Sequence, residues 1–445
     1  MSSSLHATAA RAIDACLTNA RSLSIRRIVE DACADPKERK ALFAIVCQVL
    51  KFRDSLLAIM ANAGLNASAT KGKKASLHLV LTYELLFGKG LKSAPSSLRA
   101  LVQPHTTRLL AELAKLKIKK RVARNEDLVP DHIRNAVVLP RYARVNTNLT
   151  SLDALLKDLN RMGFVLTEYT DGMDLSQMKP RTVIKDPHIP NLIILPTNFD
   201  FHNLDMYLKG HIILQDKASC FPAFILSPPE NATVIDACAA PGNKTSHLSM
   251  IMNNKGTIHA FDKDPLRLQT LIKLTSRAGC TNIKPKRTSF LDIDPADPAY
   301  AAVTHILLDP SCSGSGITRR LDHLLIQSVA PGADTDADDE ADENGGIITS
   351  DARIHALADF QVQVLLHAFT FPRVQRLVYS TCSKHRLENE GVVERVLASQ
   401  EGFGLVRGVL PGWKRRGVDG LEEVIRTLPE EDHCIGFFVA LFERT

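Results

Sequence analysis

No stretch of this 445-residue chain approaches the ~20 consecutive apolar residues that a membrane-spanning helix needs. The first residues, Met1-Ser2-Ser3-Ser4-Leu5-His6, lack a basic flank leading into an apolar core, so secretion is not expected. No two of the nine cysteines stand in a Cys-x-x-Cys pair and their spacing is irregular. That argues against a disulfide scaffold and a zinc ribbon, leaves no metal expected, and favours a reducing intracellular compartment. Aromatics are scarce, at 5% against 45% hydrophobic residues, a balance usual for a soluble protein. The length is enough for two or three domains with a large core.

The charge is unevenly spread. The formal net charge is +6, yet residues 1–140 hold 23 Lys/Arg against 11 Asp/Glu, a balance of +12. Residues 334–343 carry seven acidic side chains and no basic one, which masks that excess. A basic N-terminal region is either a nucleic-acid footprint or a set of solvated helix faces, and charge alone does not separate the two.

Residues 1–125 read as helices only. Apolar residues recur at spacings of three and four in Leu42, Ile45, Val46, Val49 and Leu50, and again in Leu77, Val80, Leu81, Leu85 and Leu86. Breaks fall at Asp35-Pro36, at Gly72 and around Gly88-Lys89-Gly90. A dense basic run follows (Lys115, Lys117, Lys119, Lys120, Arg121, Arg124) and leads to Leu139-Pro140-Arg141-Tyr142-Ala143-Arg144-Val145-Asn146-Thr147, which reads as an edge strand carrying arginines. Residues 126–210 form a small α/β module, with an amphipathic helix from Leu152 to Met162 and a buried strand at Leu192–Leu195. From His211 to Thr445 strands and helices alternate. Strands are expected at Val234–Asp236, Thr257–Phe261, His305–Leu308 and Arg376–Tyr379, and a long last strand within Cys434–Phe442 suits an antiparallel closure. Residues 329–346 combine acids with Ala, Gly and Pro and are expected to be a disordered loop.

After the strand ending at Asp236 comes Ala237-Cys238-Ala239-Ala240-Pro241-Gly242-Asn243-Lys244-Thr245, small residues and a glycine that allow a tight turn beside a ligand. It is neither G-x-G-x-x-G nor a Walker A loop. The next strand ends in Phe261-Asp262, where a doubly wound fold places a carboxylate for ribose hydroxyls. An adenosine-type cofactor without phosphate grips follows, which favours S-adenosylmethionine.

Two cysteines sit in matched settings, Asp309-Pro310-Ser311-Cys312-Ser313-Gly314-Ser315-Gly316 and Ser380-Thr381-Cys382-Ser383. Each follows a short apolar run, Ile306-Leu307-Leu308 or Leu377-Val378-Tyr379, of the kind that forms a buried parallel strand. Such strands deliver their C-terminal ends to one crevice, so the pair points to covalent chemistry using two sulfurs. Residue chemistry alone does not say which sulfur attacks.

Together these motifs resemble the RNA cytosine-5 methyltransferases of the NOP/Sun type. The resemblance runs through Arg144-Val145-Asn146-Thr147, Gln215-Asp216-Lys217-Ala218-Ser219, Pro241 to Thr245, Asp309 to Gly316, Ser380 to Ser383 and Glu388-Asn389-Glu390, in the family's order over about residues 140–445. Tyr83 to Gly90, Arg124 to Leu128, Asp236 to Leu248 and Ser311 resemble the fifth eukaryotic, Rcm-type branch. That resemblance implies a Rossmann-like class I methyltransferase domain, a mostly parallel sheet with an antiparallel last strand. A small α/β RNA-binding module and an all-helical N-terminal domain precede it.

The implied activity is methylation of C5 of a cytosine in large-subunit (25S/28S) ribosomal RNA, with S-adenosylmethionine as cofactor. The implied partner is that RNA or a pre-ribosomal particle, met by a monomer in the nucleolus of the nucleus, with no membrane involved. A tRNA-directed relative and a non-catalytic ribosome-assembly factor are the alternatives. The second is disfavoured because both cysteines, Asp309 and Lys244 are intact. By resemblance Cys382 is the nucleophile, Cys312 assists proton removal or release, Asp309 meets the N3/N4 edge of the base, and Lys244 lies near the thiols. Cys238, Ala239, Ala240, Pro241, Gly242, Asn243 and Lys244 wrap the amino-acid end of the cofactor, which Asp309 also borders, and Asp262 and Arg267 contact it. Where the family has an aspartate near the adenine this chain has Ser289, and Asp292 is the possible substitute. The expected RNA anchor is Lys115, Lys117, Lys119, Lys120, Arg121 and Arg124 with Arg141 and Arg144.

Overall fold

The computed structural model describes residues 4–18, 25–65, 74–134, 137–197, 199, 201, 203–317, 324, 340–341, 347–348 and 350–445. Contacts divide the chain into two units, Met1–Ala136 with Arg319–Thr335, and Val137–Thr318 with Asp336–Thr445.

The first unit is helical among its described residues. Asp35 accepts the Lys37 N–H at 2.9 Å and precedes Pro36, so the helix Pro36–Lys51 starts on a side-chain cap and a pre-set proline. Leu42, Val46, Val49 and Leu50 form its buried stripe, as the periodicity predicts, with Ile45 half-buried beside them. In the helix Lys74–Leu86 the buried apolar positions are Leu79, Val80 and Leu81, while Leu77, Leu85 and Leu86 pack against the core. The expected break at Gly72 lies outside the described residues.

The second unit holds two sheets. The smaller is ordered β2 (Val165–Thr167), β3 (Thr182–Lys185), β4 (Leu192–Leu195), β1 (Arg141–Val145), β5 (Ile212–Leu214). Strand β1 was expected at an edge; it lies inside, antiparallel to β4 on one side and β5 on the other. The error came from reading its arginines as solvent-facing. Leu152–Arg161 forms the expected helix, capped by Ser151.

The larger sheet contains β6 (Thr233–Asp236), β7 (Thr257–Asp262), β8 (Ile283–Arg287), β9 (Val303–Leu308), β12 (Arg376–Thr381), β13 (Phe403–Leu405), β14 (Ile425–Thr427) and β15 (Phe437–Arg444). Its order is β13-β15-β12-β9-β6-β7-β8, with β14 also on β15. Strands β12, β9, β6, β7 and β8 run parallel, and β15 pairs antiparallel with β12. This is the Rossmann-like arrangement with a reversed late strand. The order reverses at β6, so a ligand crevice opens beyond the C-terminal ends of β6 and β9. Strand β8 went unread because its one apolar residue is followed by Lys-Pro-Lys-Arg; as an edge strand it tolerates Pro285. Of the acidic segment 329–346, Glu340–Ala341 (β10) pairs with Ile347–Ile348 (β11), and the remainder lies outside the described residues.

Candidate active site

The turn after β6 is closed by its own backbone. Ala239 N–H donates to Phe261 O at 2.9 Å, Gly242 N–H donates to Ala239 O at 2.8 Å, and the Ala240–Pro241 bond is cis. Gly242 sits at φ +102, and a Cβ there would come within 3.2 Å of Leu271 and Thr275 side chains, so both backbone angle and packing call for glycine. The helix Asn243–Ile251 starts directly after it. Asp236, at the end of β6, is fully buried and accepts the Thr245 hydroxyl at 2.7 Å on Oδ2, while Oδ1 has no partner among the described residues. Burial is the main cause that pushes its carboxyl up to about 7.

Asp262 ends β7. Its Oδ1 accepts the Asp264 N–H at 2.9 Å, and Arg267 stands 3.6 Å from Oδ2 while donating to Ala240 O at 2.8 Å. The carboxylate meant for the ribose and the turn meant for the amino-acid end are therefore tied together by Arg267. Asp264 caps the helix Pro265–Arg277 that carries this arginine. Cys238 lies in the turn, and burial pushes its thiol up to about 12, leaving it inert. Ser289 is half-buried just before a short 3₁₀ turn, where its carbonyl accepts the exposed Asp292 N–H at 3.1 Å.

The other half of the crevice comes from β9 and β12, which lie side by side with Tyr379 opposite Leu308. Asp309 follows β9 and is gripped on both oxygens: Ser380 Oγ donates to Oδ1 at 2.8 Å and Lys244 Nζ to Oδ2 at 2.6 Å. Lys244 also stands 5.3 Å from the centre of the Phe437 ring. Burial alone would pull the Lys244 ammonium down, but the Asp309 carboxylate outweighs it and the net displacement is upward. Cys312 and Cys382 meet with their sulfurs 3.2 Å apart. The hydrogen bond from Cys312 holds the Cys382 thiol below its ordinary value; burial and Asp309 oppose this and Lys244 assists it. Cys312 is pushed far up, first by that same hydrogen bond and then by burial. The 3.2 Å contact leaves either sulfur as donor, and the directions of the two shifts make Cys382 the more thiolate-prone of the pair. Gly316 N–H donates to Cys382 O at 2.8 Å and Gly436 N–H to Gly316 O at 2.9 Å, and a Cβ on Gly316 would fall 2.1 Å from Gly436 O.

The structure therefore brings Lys244, Asp309, Cys312 and Cys382 together, and sets Cys238 to Asn243, Asp262 and Arg267 beside them. Ser380 and Asp236 were absent from the expected site. Ser380 is visible only once β12 lies beside β9, whereas Asp236 already stood at a strand end before the turn.

The expected RNA anchor needs one correction. Arg144 is fully buried: Nε donates to Gln215 Oε1 at 2.8 Å, Nη2 donates to Ser246 Oγ at 2.9 Å and Asn243 O at 3.1 Å, and Nη1 reaches Met250 Sδ. It braces the helix Asn243–Ile251 and, being fully buried, offers no surface for a phosphate. Arg141 is half-buried and donates to Thr197 O at 3.3 Å. In the first unit, Lys115 pairs with Glu112, Lys117 donates to Ala123 O, and Arg124 pairs with Asp127. Lys119, Lys120 and Arg121 are exposed at the end of the helix Thr106–Lys120 and pair with none of the described residues.

Comparison with known proteins adds to this geometry. Residues 40–129 match the family model described as NOL1/NOP2/Sun domain family member 5, N-terminal domain, and residues 139–215 match its ferredoxin-like domain. Residues 223–330 and 342–443 match the model for 16S rRNA methyltransferase RsmB/F. The 28S rRNA (cytosine-C(5))-methyltransferase of Mus musculus is 42% identical over 411 residues, covering 91% of this chain and 84% of that protein. The 25S rRNA (cytosine-C(5))-methyltransferase rcm1 of Schizosaccharomyces pombe is 37% identical over 422 residues, covering 91% and 84%. The crystal structure of PH0851 superposes with a TM-score of 0.66 at 21% identity over 100% of both chains, a likeness of fold.

Proposed function

The chain belongs to the NOL1/NOP2/Sun family, in its member 5 branch, and from that premise we propose how its crevice works. It methylates C5 of a cytosine in large-subunit ribosomal RNA, using S-adenosylmethionine. The observation that carries the mechanism is the 3.2 Å meeting of two thiols from neighbouring strand ends, beside the Lys244–Asp309 pair.

The residues present fit the cofactor. Asp262 at the end of β7 suits ribose hydroxyls, and the absence of a glycine-rich phosphate grip after β6 suits a ligand without phosphates. The buried Oδ1 of Asp236, which has no partner among the described residues, offers a further polar atom at the same strand ends. When bound, S-adenosylmethionine supplies an electrophilic methyl group. Every other demand falls on this chain. C5 of cytosine is a weak nucleophile, and Cys382 overcomes this by adding its thiolate to C6, which places electron density on C5. Lys244 favours the thiolate, and Asp309 is held by Ser380 and Lys244 where it can meet the N3/N4 edge of the base. Once Cys382 is bonded to C6 it no longer holds the Cys312 proton by hydrogen bond, the largest cause that raised Cys312 is gone, and Cys312 releases that proton to solvent. After C5 carries the methyl group, the Cys312 thiolate takes the C5 proton, and the C6–sulfur bond breaks to restore the aromatic ring and return Cys382 as thiolate. Proton and electron pair both balance across the step.

The test is methyl transfer from labelled cofactor to large-subunit RNA. Cys312→Ala should accumulate a denaturation-resistant protein–RNA adduct, and Cys382→Ala should form none. An adduct from Cys382→Ala would reverse the two roles.

A base buried between two thiols must be splayed from its RNA, which needs backbone anchors outside the pocket. Lys119, Lys120 and Arg121 are the proposed anchors, supported by their exposure and free charge. The domain assignment (helical 1–125, RNA-binding module 126–210, catalytic 211–445) belongs to the same proposal with both boundaries moved, because the first unit runs to Ala136 and Ile212–Leu214 pair with β1 of the small sheet. Nucleolar residence, where the substrate is made, belongs to it as well. Fluorescence microscopy of the tagged chain tests the latter, and a purely cytoplasmic signal would sink it.

A further inference from the structure

Glu388, Asn389 and Gln361 together touch the chain on both sides of both reactive cysteines. Ser311 and Ser313 flank Cys312. The Ser313 N–H donates to Glu388 Oε1 at 2.9 Å, and Gln361 Nε2 donates both to that oxygen and to Ser311 O, each at 3.0 Å. Thr381 and Ser383 flank Cys382. Thr381 Oγ1 donates to Asn389 Oδ1 at 2.5 Å, and Asn389 Nδ2 donates to Ser383 O at 2.9 Å. Gln361, Glu388 and Asn389 are all fully buried. The Tyr379 hydroxyl, on the strand leading to Cys382, donates to the Glu388 carbonyl at 2.5 Å.

Gln361, Glu388 and Asn389 come from outside both cysteine loops and reach neither sulfur. Three of their bonds go to backbone atoms one residue before or after a cysteine (Ser311 O, Ser313 N and Ser383 O) and a fourth holds the Thr381 hydroxyl, so they fix the chain on which each Cβ and its sulfur are carried. Glu388 Oε2 has no partner among the described residues, but breaking any of these buried bonds strands a further polar group away from water, which favours the one arrangement. We propose that Gln361, Glu388 and Asn389 form a positioning unit that sets the Cys312–Cys382 separation, so that one base is within reach of the attacking and the releasing thiol together. The role in release rests on the methyl-transfer reading above; the role in sulfur placement does not.

The experiment therefore measures sulfur placement without RNA. Diamide accepts the two electrons and two protons lost when two adjacent thiols become a disulfide, and mass spectrometry follows the Cys312–Cys382 bond. Glu388→Ala and Asn389→Ala should slow its formation at least about tenfold, and lower kcat for methyl transfer by about 100-fold with KM for RNA and cofactor nearly unchanged. Glu388→Gln, which keeps the acceptor for Ser313 and Gln361, should recover most of both losses. Circular dichroism checks that each variant is folded. Where an alanine variant is not, Asn389→Asp, which removes only the donor to Ser383, should still slow disulfide formation. Wild-type oxidation rates in the folded variants, or no recovery in Glu388→Gln, overturn the proposal whatever happens to methyl transfer. Slowed oxidation in an enzyme that never methylates RNA would uphold the placement and sink the reaction.

Discussion

On its cofactor side the crevice is one nearly continuous stretch of chain. Residues 236 to 267 supply the strand end, the turn, the helix start and the second strand end, closed by backbone hydrogen bonds and one arginine. On its thiol side, residues 309–316, 380–383, 388–389 and Gln361 come from separate places in the sequence and are joined by buried side chains. A contiguous turn can hold its shape through local bonds. The thiol pair exists only when the sheet is complete. The two sides should accordingly fail differently, the first in binding and the second in chemistry.

The sharpest way to break that contrast is Cys382→Ala. It should lower methyl transfer at least about 1,000-fold while leaving the cofactor dissociation constant, measured by calorimetry, within about twofold. A large loss of cofactor affinity would show that the two sides are not separable. Asp236 probes stability instead. Its folded carboxyl is raised to about 7 from an ordinary value near 4, so the stability linked to its proton is present below about pH 4 and lost as pH rises through 7. Asp236→Asn should therefore lose less stability than wild type between pH 5 and 8, by on the order of 2–3 kcal/mol in denaturant titrations. Parallel pH curves would remove Asp236 as the cause. Asp216, raised to about 6 chiefly by burial, acts in the same direction in both proteins and cancels.

Asp262→Ala tests the opposite end. Cofactor affinity should fall by about 10- to 30-fold, the worth of hydrogen bonds to one charged group, while kcat at saturating cofactor changes little. A fall in kcat alone would move Asp262 to the chemical side of the comparison. The smallest effect belongs to neither side. Replacing Lys119, Lys120 and Arg121 with alanine should weaken RNA binding several-fold and reduce the salt slope by up to about 3, sparing cofactor affinity. An unchanged slope removes them as phosphate contacts.

The same contrast explains what could be read beforehand. The Pro241–Thr245 turn and Asp262 were legible because they follow apolar strand runs at short range. Cys312 and Cys382 were legible as a pair by their matched surroundings. Ser380, Gln361 and the function of Glu388-Asn389 were not, since each acts on residues distant in sequence and no local pattern marks the partner. Arg144 misled for a related reason. An arginine on a strand in a basic region resembles a surface cation, and only the packing of β1 between β4 and β5 turns it inward.

That buried arginine has a mechanical consequence. Its guanidinium belongs to the small sheet, and its acceptors at Asn243 and Ser246 belong to the cofactor helix. Burial pulls it down only to about 10, so at neutral pH it remains a cation. Sliding the small sheet away from that helix would strand a charge in the protein interior, at a cost of about 3–5 kcal/mol. The small sheet is therefore coupled to the helix Asn243–Ile251, and any opening of the chain between them to admit a folded RNA carries that cost.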